Sequence, residues 1–393
     1  MVGAGIVGVN AALTLAERGA DVTVIDRGPV AGEASGLNAG LIGGGDWGHA
    51  PTIDVVLRMG SRERYLDLVE QRGHSIGLES NGTLSLIRTD AEWQWAESTV
   101  EANRARGHCH ELVSASELRE LEPAANPALL GAIYDPLGAR AEPIAATEAF
   151  AAEAAAAGTR ILTNHAVTGL RCTPTGVWRV DIAGVEHATV EADAVVVAAG
   201  PWCADIGAMV GLEIPVVPVR GQMWATDATV PVLRHGIAAV ESTHAWATAA
   251  SAATIPPELT HRDGARLTRH VYGRQRPNGE VVFGGDRVLS GGRVVDAEGI
   301  ETNHAHVGEL LPPVGELAPT RTWAGSMPFS RDGRPLIGPL PGREGLFLAG
   351  GLASSGFGRG PMAGRLVAEL ALGESPAVDL SSVSPEGRVT DTS

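Results

Sequence analysis

The chain opens on a glycine turn, Gly3-Ala4-Gly5-Ile6-Val7-Gly8, set between the apolar pair Met1-Val2 and an apolar run that ends at Arg18-Gly19. No other feature restricts the fold as tightly. Gly3 permits a sharp turn, Gly5 lets backbone approach a bulky anion, and Gly8 lets the next helix pack close to the strand. The N-terminus of that helix carries partial positive charge and suits a pyrophosphate. Asp21 to Asp26 (DVTVID) reads as a second strand whose last residue, Asp26, is placed to accept ribose hydroxyls. Strand, helix and strand in this order predict a parallel, doubly wound sheet that binds a dinucleotide. Only Met1 and Val2 precede the turn, where a central strand normally supplies about five apolar residues. A start site further upstream, or a shortened central strand, is therefore expected. Restored upstream apolar residues should raise cofactor retention; an unchanged cofactor affinity and melting temperature would refute this.

A length of 393 residues suits about two domains. With 44% hydrophobic and 19% charged residues, the chain has the makings of a cored globular protein. Thirty basic against 46 acidic residues give a net charge of −16, which argues against nucleic acid or an anionic membrane as partner. There is no uncharged apolar stretch of about 18 residues and no basic leader, so no transmembrane segment is expected and a cytoplasmic enzyme is the simplest reading. Cys109, Cys172 and Cys203 form no paired motif. In His108-Cys109-His110 neighbouring side chains point in different directions, so no metal site is expected. All 30 basic residues are arginine, which excludes lysine-based Schiff-base chemistry.

Further along, residues 35–50 are too glycine-rich for a regular element, and helices are expected near Ile53 to Arg72, Asp90 to Ala105 and Pro143 to Ala157. Arg160 to Thr163 and His165 to Leu170 look like a strand pair. Buried parallel-type strands are expected at Ala192 to Gly200 and Gly345 to Gly351, with a helix from about Pro361 to Leu372 and a frayed tail beyond Gly373. Between 214 and 322 the texture is of short alternating strands, such as Val271 to Arg276 and Glu280 to Phe283. The expected fold class is α/β: a Rossmann-type nucleotide-binding domain (1–78, 140–213, 323–375) interleaved with an α+β substrate domain on a mixed, largely antiparallel sheet (79–139, 214–322), followed by a tail (376–393). Two returns to the nucleotide-binding texture suit a long cofactor, FAD, better than NAD.

In combination and order, GAGIVG (3–8), ASGLNAGLI (34–42), EPIAATEAFAAEAAAAG (142–158), AVVVAAGPW (194–202), PVVPVRGQM (215–223), WAGSMPFSRDGRPLIGP (323–339) and LAGGLASSGFGRGPMAG (348–364) are specific. Over nearly its whole length the chain resembles the D-amino-acid oxidase, glycine oxidase and sarcosine oxidase group of FAD enzymes. The resemblance implies FAD contacts at Gly3, Gly5, Ile6, Val7 and Gly8, with Asp26 and Arg27 at the adenosine end and Val167 offering backbone to adenine. It places Ala34, Ser35, Asn38, Ala39, Gly40 and Leu41 along the pyrophosphate and flavin, and Ala199, Gly200 and Trp202 over the ribityl chain. Ser354, Ser355, Gly356, Phe357 and Gly358 would lie against the pyrimidine edge, where backbone N–H groups stabilise the reduced anion. For Trp202, ordinary core packing is an equal alternative.

The chain departs from these relatives in the residues that matter for substrate. Where they carry an arginine for the substrate carboxylate, this chain reads Gly325-Ser326-Met327-Pro328. The lysine that such oxidases use to activate oxygen is absent, and no cysteine stands near Ser326, so FAD is expected to be non-covalent. Arg274, Arg276 and Arg359 become the candidates for a carboxylate. The first two are expected to alternate in direction, so that only one points inward. Tyr272 and His270 are candidate pocket residues, and His49 a weaker one. The expected reaction is hydride transfer from a small amine or amino acid to flavin N5, followed by imine hydrolysis, with oxygen or another molecule as acceptor. Two alternatives stand: an FAD-dependent 2-hydroxy-acid dehydrogenase using His270 as base, or an FAD-carrying subunit of a hetero-oligomer. A homo-oligomer is equally compatible.

Overall fold

A computed structural model describes residues 1–43, 52–184, 188–241, 243–244, 261–262, 265–266, 270–289 and 291–392. Its first layer is a parallel sheet whose order across the sheet is Arg160–Leu162, Thr23–Ile25, the residues around Val2, Val195–Val197, Leu346–Gly350 and, antiparallel at the edge, Leu336–Pro339. The short N-terminal segment does occupy the centre. Val2 N donates to Val196 O at 2.9 Å, and Gly3 N donates to Ile25 O at 2.8 Å. Alternate residues of these strands face opposite sides. One side meets the helices Ile6–Glu17, Pro143–Ala156 and Gly356–Ala371. The other meets a three-stranded meander, Ala166–Cys172, Trp178–Ala183 and Ala188–Ala192.

That meander corrects one expectation. Arg160–Leu162 pairs in parallel with Thr23–Ile25, while Ala166–Cys172 turns away to pair with Trp178–Ala183. Periodicity marks both as strands but carries no information on which neighbour each one finds.

The second layer is an eight-stranded sheet, ordered Arg321–Ser330, Val216–Ala225, Val281–Val288, Tyr272–Gln275, Gly236–Ala239, Thr83–Ile87, Gly131–Asp135 and Glu111–Ser114. All pairings are antiparallel except Gly236–Ala239 with Thr83–Ile87. Arg321–Ser330 runs as one strand along Val216–Ala225, so the expected boundary at 322/323 falls inside it. Helix Ala297–Leu310 covers one face, where Trp224 Nε1 donates to Asn303 Oδ1 at 2.9 Å. The opposite face carries Met223, Val282, Tyr272 and Trp323 against Ala39 and Leu41 of the glycine-rich segment.

The last long helix begins at Gly356, not at Pro361, and holds the proline inside it. Proline has no N–H to give the carbonyl four residues back. That carbonyl belongs to Phe357, and the buried Tyr65 hydroxyl donates to it at 2.8 Å instead. In the same seam Met362 N donates to Ser61 Oγ at 3.0 Å. The segment beyond Gly373 is docked rather than frayed. Val383 and Val389 are buried, Thr390–Asp391 pairs with Leu212–Glu213, and Arg388 donates to the carbonyls of Pro335 and Arg334 and to Asp332. Composition hid these three anchors. Among the described residues no helix is long and apolar enough to cross a membrane.

The first and last helices cross where Gly364 meets backbone. A Cβ there would lie 2.4 Å from Val7 O and 2.9 Å from Ala11 N. Gly364→Ala should therefore force the helices apart and destabilise the protein by about 1–3 kcal/mol, seen as a lower midpoint in urea; an unchanged midpoint would show that the crossing is slack.

Candidate functional site

The glycine turn is built by backbone-on-backbone contact. Gly3 has φ +113°, and a Cβ on it would fall 2.4 Å from Ala198 O; one on Gly8 would fall 1.9 Å from Gly3 O. Helix Ile6–Glu17 starts with no side-chain cap of its own. Ser35 supplies an acceptor from across the turn, its Oγ taking a hydrogen bond from Ile6 N at 2.9 Å. The Asp26 carboxylate bridges two loops, accepting from Ala4 N at 2.7 Å and Gly28 N at 2.8 Å. Arg27 stacks 3.6 Å from the centroid of the Trp202 ring.

These groups share one elongated cavity. Gly3, Gly5, Ile6, Val7, Asp26, Arg27, Ala34, Ser35, Asn38, Val167, Ala199, Gly200, Trp202, Ser354, Gly356 and Phe357 all line it. These are residues for which the resemblance implies FAD contacts. At the helix N-terminus Ser35 packs close on the turn, so that a Cβ on Gly5 would meet its Oγ at 2.9 Å. From there the cavity reaches the antiparallel sheet, ending among Gly221, Met223, Tyr272, Gly325, Ser326, Met327 and Pro328. Polar His165 and Asp205 also line it. No motif pointed to either: His165 comes from the loop before Ala166–Cys172 and Asp205 from the short helix Cys203–Ala208.

Other expected contacts serve the frame. Gly8 packs on Gly3. Gly358 lies against the backbone of Leu41 and Ile42, and Ser355 occupies the N-cap position of the last helix without a side-chain cap bond. Ala39 and Gly40 are tied to Arg274 and Ala141: Arg274 Nε donates to Ala39 O at 2.5 Å, and Ala141 N donates to Gly40 O at 2.9 Å.

That bond removes Arg274 from the candidate list. Only 1% exposed, it also donates to Ala141 O at 2.9 Å and to Glu142 Oε1 at 2.6 Å. Arg276 does not alternate away from it. Residues two apart on a strand share a face, and Arg276 binds the other oxygen of the same Glu142 carboxylate, together with Glu280. Arg359 is paired with Asp54 at 2.7 Å. Burial alone would raise the Asp54 carboxyl, but Arg58 and Arg359 outweigh it and hold it at about 2. All three arginines are thus structural ties. His49 lies outside the described residues.

Tyr272 does face the cavity, its hydroxyl donating to Met223 Sδ at 3.1 Å. The His270 ring lies beside it, tilted by 49° with ring centroids 5.2 Å apart. Burial, reinforced by Arg287, holds the His270 imidazole well below its usual range, so it is neutral and accepts from Arg287 Nη2. Sequence reasoning passed over Arg287, which lies outside every motif; its signal was an arginine inside a strand, Val281–Val288, otherwise built for burial. His108 and His110 stack at 5.0 Å, but no group of metal ligands forms among the described residues.

Burial also works to raise the Glu142 carboxyl, and its bonds to Arg276 and Arg274 win, lowering it. A depressed carboxyl stabilises the fold above its unfolded value and loses that contribution as pH falls through the folded one. Glu142→Gln should leave Arg274 charged and buried, costing about 3–5 kcal/mol near neutrality. The gap in melting temperature from wild type should narrow below about pH 4. A constant gap from pH 3 to 7 would refute the ion-pair account.

Comparisons with known proteins agree with this geometry. A family model described as FAD dependent oxidoreductase matches residues 1–370. Glycine oxidase of Geobacillus kaustophilus is 29% identical over 98% of this chain and 95% of its own length. D-amino acid dehydrogenase of Bradyrhizobium diazoefficiens is 27% identical over 98% and 97%. The crystal structure of the Geobacillus kaustophilus glycine oxidase superposes with a TM-score of 0.82 at 28% identity, covering 98% of this chain and 96% of that one. L-proline dehydrogenase from P. horikoshii, at 23% identity, shares the fold with the same TM-score. A glycine turn at a helix N-terminus opens along one cavity onto an antiparallel sheet, and with residues 1–370 matching the family model the chain belongs to the FAD-dependent oxidoreductase family.

Proposed function

We propose that this enzyme oxidises a small amino acid or amine, of the glycine, sarcosine or D-amino-acid type, with FAD held non-covalently. The observation that carries the reading is the far end of the cavity, where neutral residues (Gly221, Met223, Tyr272, Met327) face the site. A wall of that kind excludes water and favours the neutral amine, which a charged wall would not. Glycine oxidase and D-amino acid dehydrogenase among the relatives support the same substrate class.

Bound FAD supplies a hydride acceptor for the substrate carbon, and water then hydrolyses the resulting imine. The chain's own residues do the rest. The Gly3–Gly8 turn and the first helix offer backbone N–H groups to the pyrophosphate. Asp26, already oriented by Ala4 and Gly28, would hold ribose hydroxyls, and Arg27, stacked on Trp202, would lie at the adenosine end. At the opposite end the last helix presents its N-terminus, with Gly356 and Phe357 on the cavity wall. Its partial positive charge favours negative charge on a reduced cofactor. No described residue lining the cavity is a cysteine; Cys203 is buried elsewhere, its thiol pushed up to about 12 by burial. The lack of a lining cysteine supports the non-covalent reading.

His270 weighs against the 2-hydroxy-acid alternative. An imidazole with a depressed pKa that already accepts from an arginine is a poor base for an alcohol. The test is anaerobic mixing of the purified flavoprotein with glycine, sarcosine, D-alanine and proline. At least one should bleach the visible flavin absorbance. Bleaching by 2-hydroxy acids alone would move the assignment to the alternative, and silence with every amine would sink it. Reoxidation by air or by a dye acceptor then separates oxidase from dehydrogenase.

A further inference from the structure

If the substrate is an amino acid, as the preceding reading holds, its carboxylate needs a cation at the sheet end of the cavity, where Met327 stands in place of the arginine expected from the resemblance. One guanidinium is placed for this. Arg287 sits on strand Val281–Val288 directly opposite Gly221 of the neighbouring strand. Cross-strand partners project to the same face. Gly221 is a cavity residue, and a Cβ on it would come 2.8 Å from the Met327 methyl. Gly221 therefore puts no side chain between Arg287 and the cavity. The preceding residue, Asp286, projects to the other face and accepts from Gln222 Nε2 at 2.8 Å.

The guanidinium is held from the sides. Its Nη2 donates to His270 Nε2, and its Cζ lies 5.9 Å from the centroid of the Phe329 ring. Exposure is 6%. Burial pulls its pKa to about 10, with the Tyr272 hydroxyl opposing that fall. The group is thus cationic at neutral pH yet stripped of most of its water. Five N–H donors allow a bidentate carboxylate contact alongside the bond to His270. A desolvated fork beside a neutral imidazole and a phenol is built to receive an anion of that shape.

We propose that Arg287 anchors the carboxylate of the amino-acid substrate, with His270 fixing the orientation of its fork and Tyr272 forming the adjoining wall. Specificity then rests on the acid group, and the chain has moved the anchor from one strand of the sheet to another.

FAD-loaded wild type, R287M and R287K are reduced anaerobically by the amino acid that reduces wild type fastest, and by its amide. R287M should raise the half-saturating concentration of the amino acid about 100-fold or more, the scale of a lost buried charge contact. Its response to the amide should stay within about twofold of wild type, a difference that loosened packing would not produce. R287K, keeping the charge without the fork, should fall between. Should R287M fail to hold FAD, the amino-acid-to-amide ratio in R287K decides the matter. Wild-type affinity for the amino acid in a folded variant, or equal losses for amino acid and amide, would overturn the assignment to Arg287 alone. A wild type reduced by amides or amines but by no amino acid would overturn the amino-acid reading itself, and is visible before any variant is made.

Discussion

Arg274 is buried in the seam between the two sheets, and much of the site's geometry depends on where its three bonds go. It rises from a strand of the antiparallel sheet, donates to Ala39 in the glycine-rich segment, and reaches Ala141 and Glu142 at the start of helix Pro143–Ala156. One side chain thus fastens the antiparallel sheet both to the glycine-rich loop that lines the cavity and to the start of a helix behind it. A guanidinium with no access to water must be neutralised or it destabilises the fold, which explains why Glu142 faces it and also takes Arg276. The carbonyls of Ala39 and Ala141 are oriented by the same group. The segment that carries Asn38 and Ser35 to the cavity wall is consequently tied down by a residue that is not itself part of that wall.

The contrast between the ends of the cavity follows from that frame. At the nucleotide end, charged and polar groups crowd the wall: Asp26, Arg27, Glu33 and Asp205. At the sheet end the lining residues Gly221, Met223, Tyr272, Gly325, Ser326, Met327 and Pro328 are neutral. Such a division suits a cofactor with a charged tail and an uncharged ring, and a reaction in which a neutral amine must lose hydride without competition from water.

The glycine turn was legible because its chemistry is local: three positions without side chains, each with its own contact. Helices Asp90–Arg104 and Pro143–Ala156 were legible for the same reason, through propensity and end signals. Direction and partnership were not. Arg274 and Arg276 read as site candidates because they neighbour Tyr272 in sequence, yet their partner Glu142 lies more than 130 residues away in the chain. Arg287 shows the converse. Its neighbours in sequence carry no motif, and its company of His270, Tyr272 and Phe329 is assembled by three strands. The start of the last helix was misplaced because proline ends most helices, and nothing in the sequence says that a distant tyrosine takes over its missing hydrogen bond.

That tyrosine has a consequence for the cofactor. Tyr65 packs its ring against Phe150 and Phe357 while its hydroxyl holds the Phe357 carbonyl. The opening turn of the last helix is therefore clamped from outside at the point where a proline would let it fray. A helix terminus that frayed would scatter its amide dipoles and screen them with water. Clamped, it presents a fixed electric field to whatever lies in the cavity, set before any electron arrives and needing no rearrangement when charge appears. The field that this helix end presents to the cavity is thereby tied to the packing of a phenol ring that does not line it.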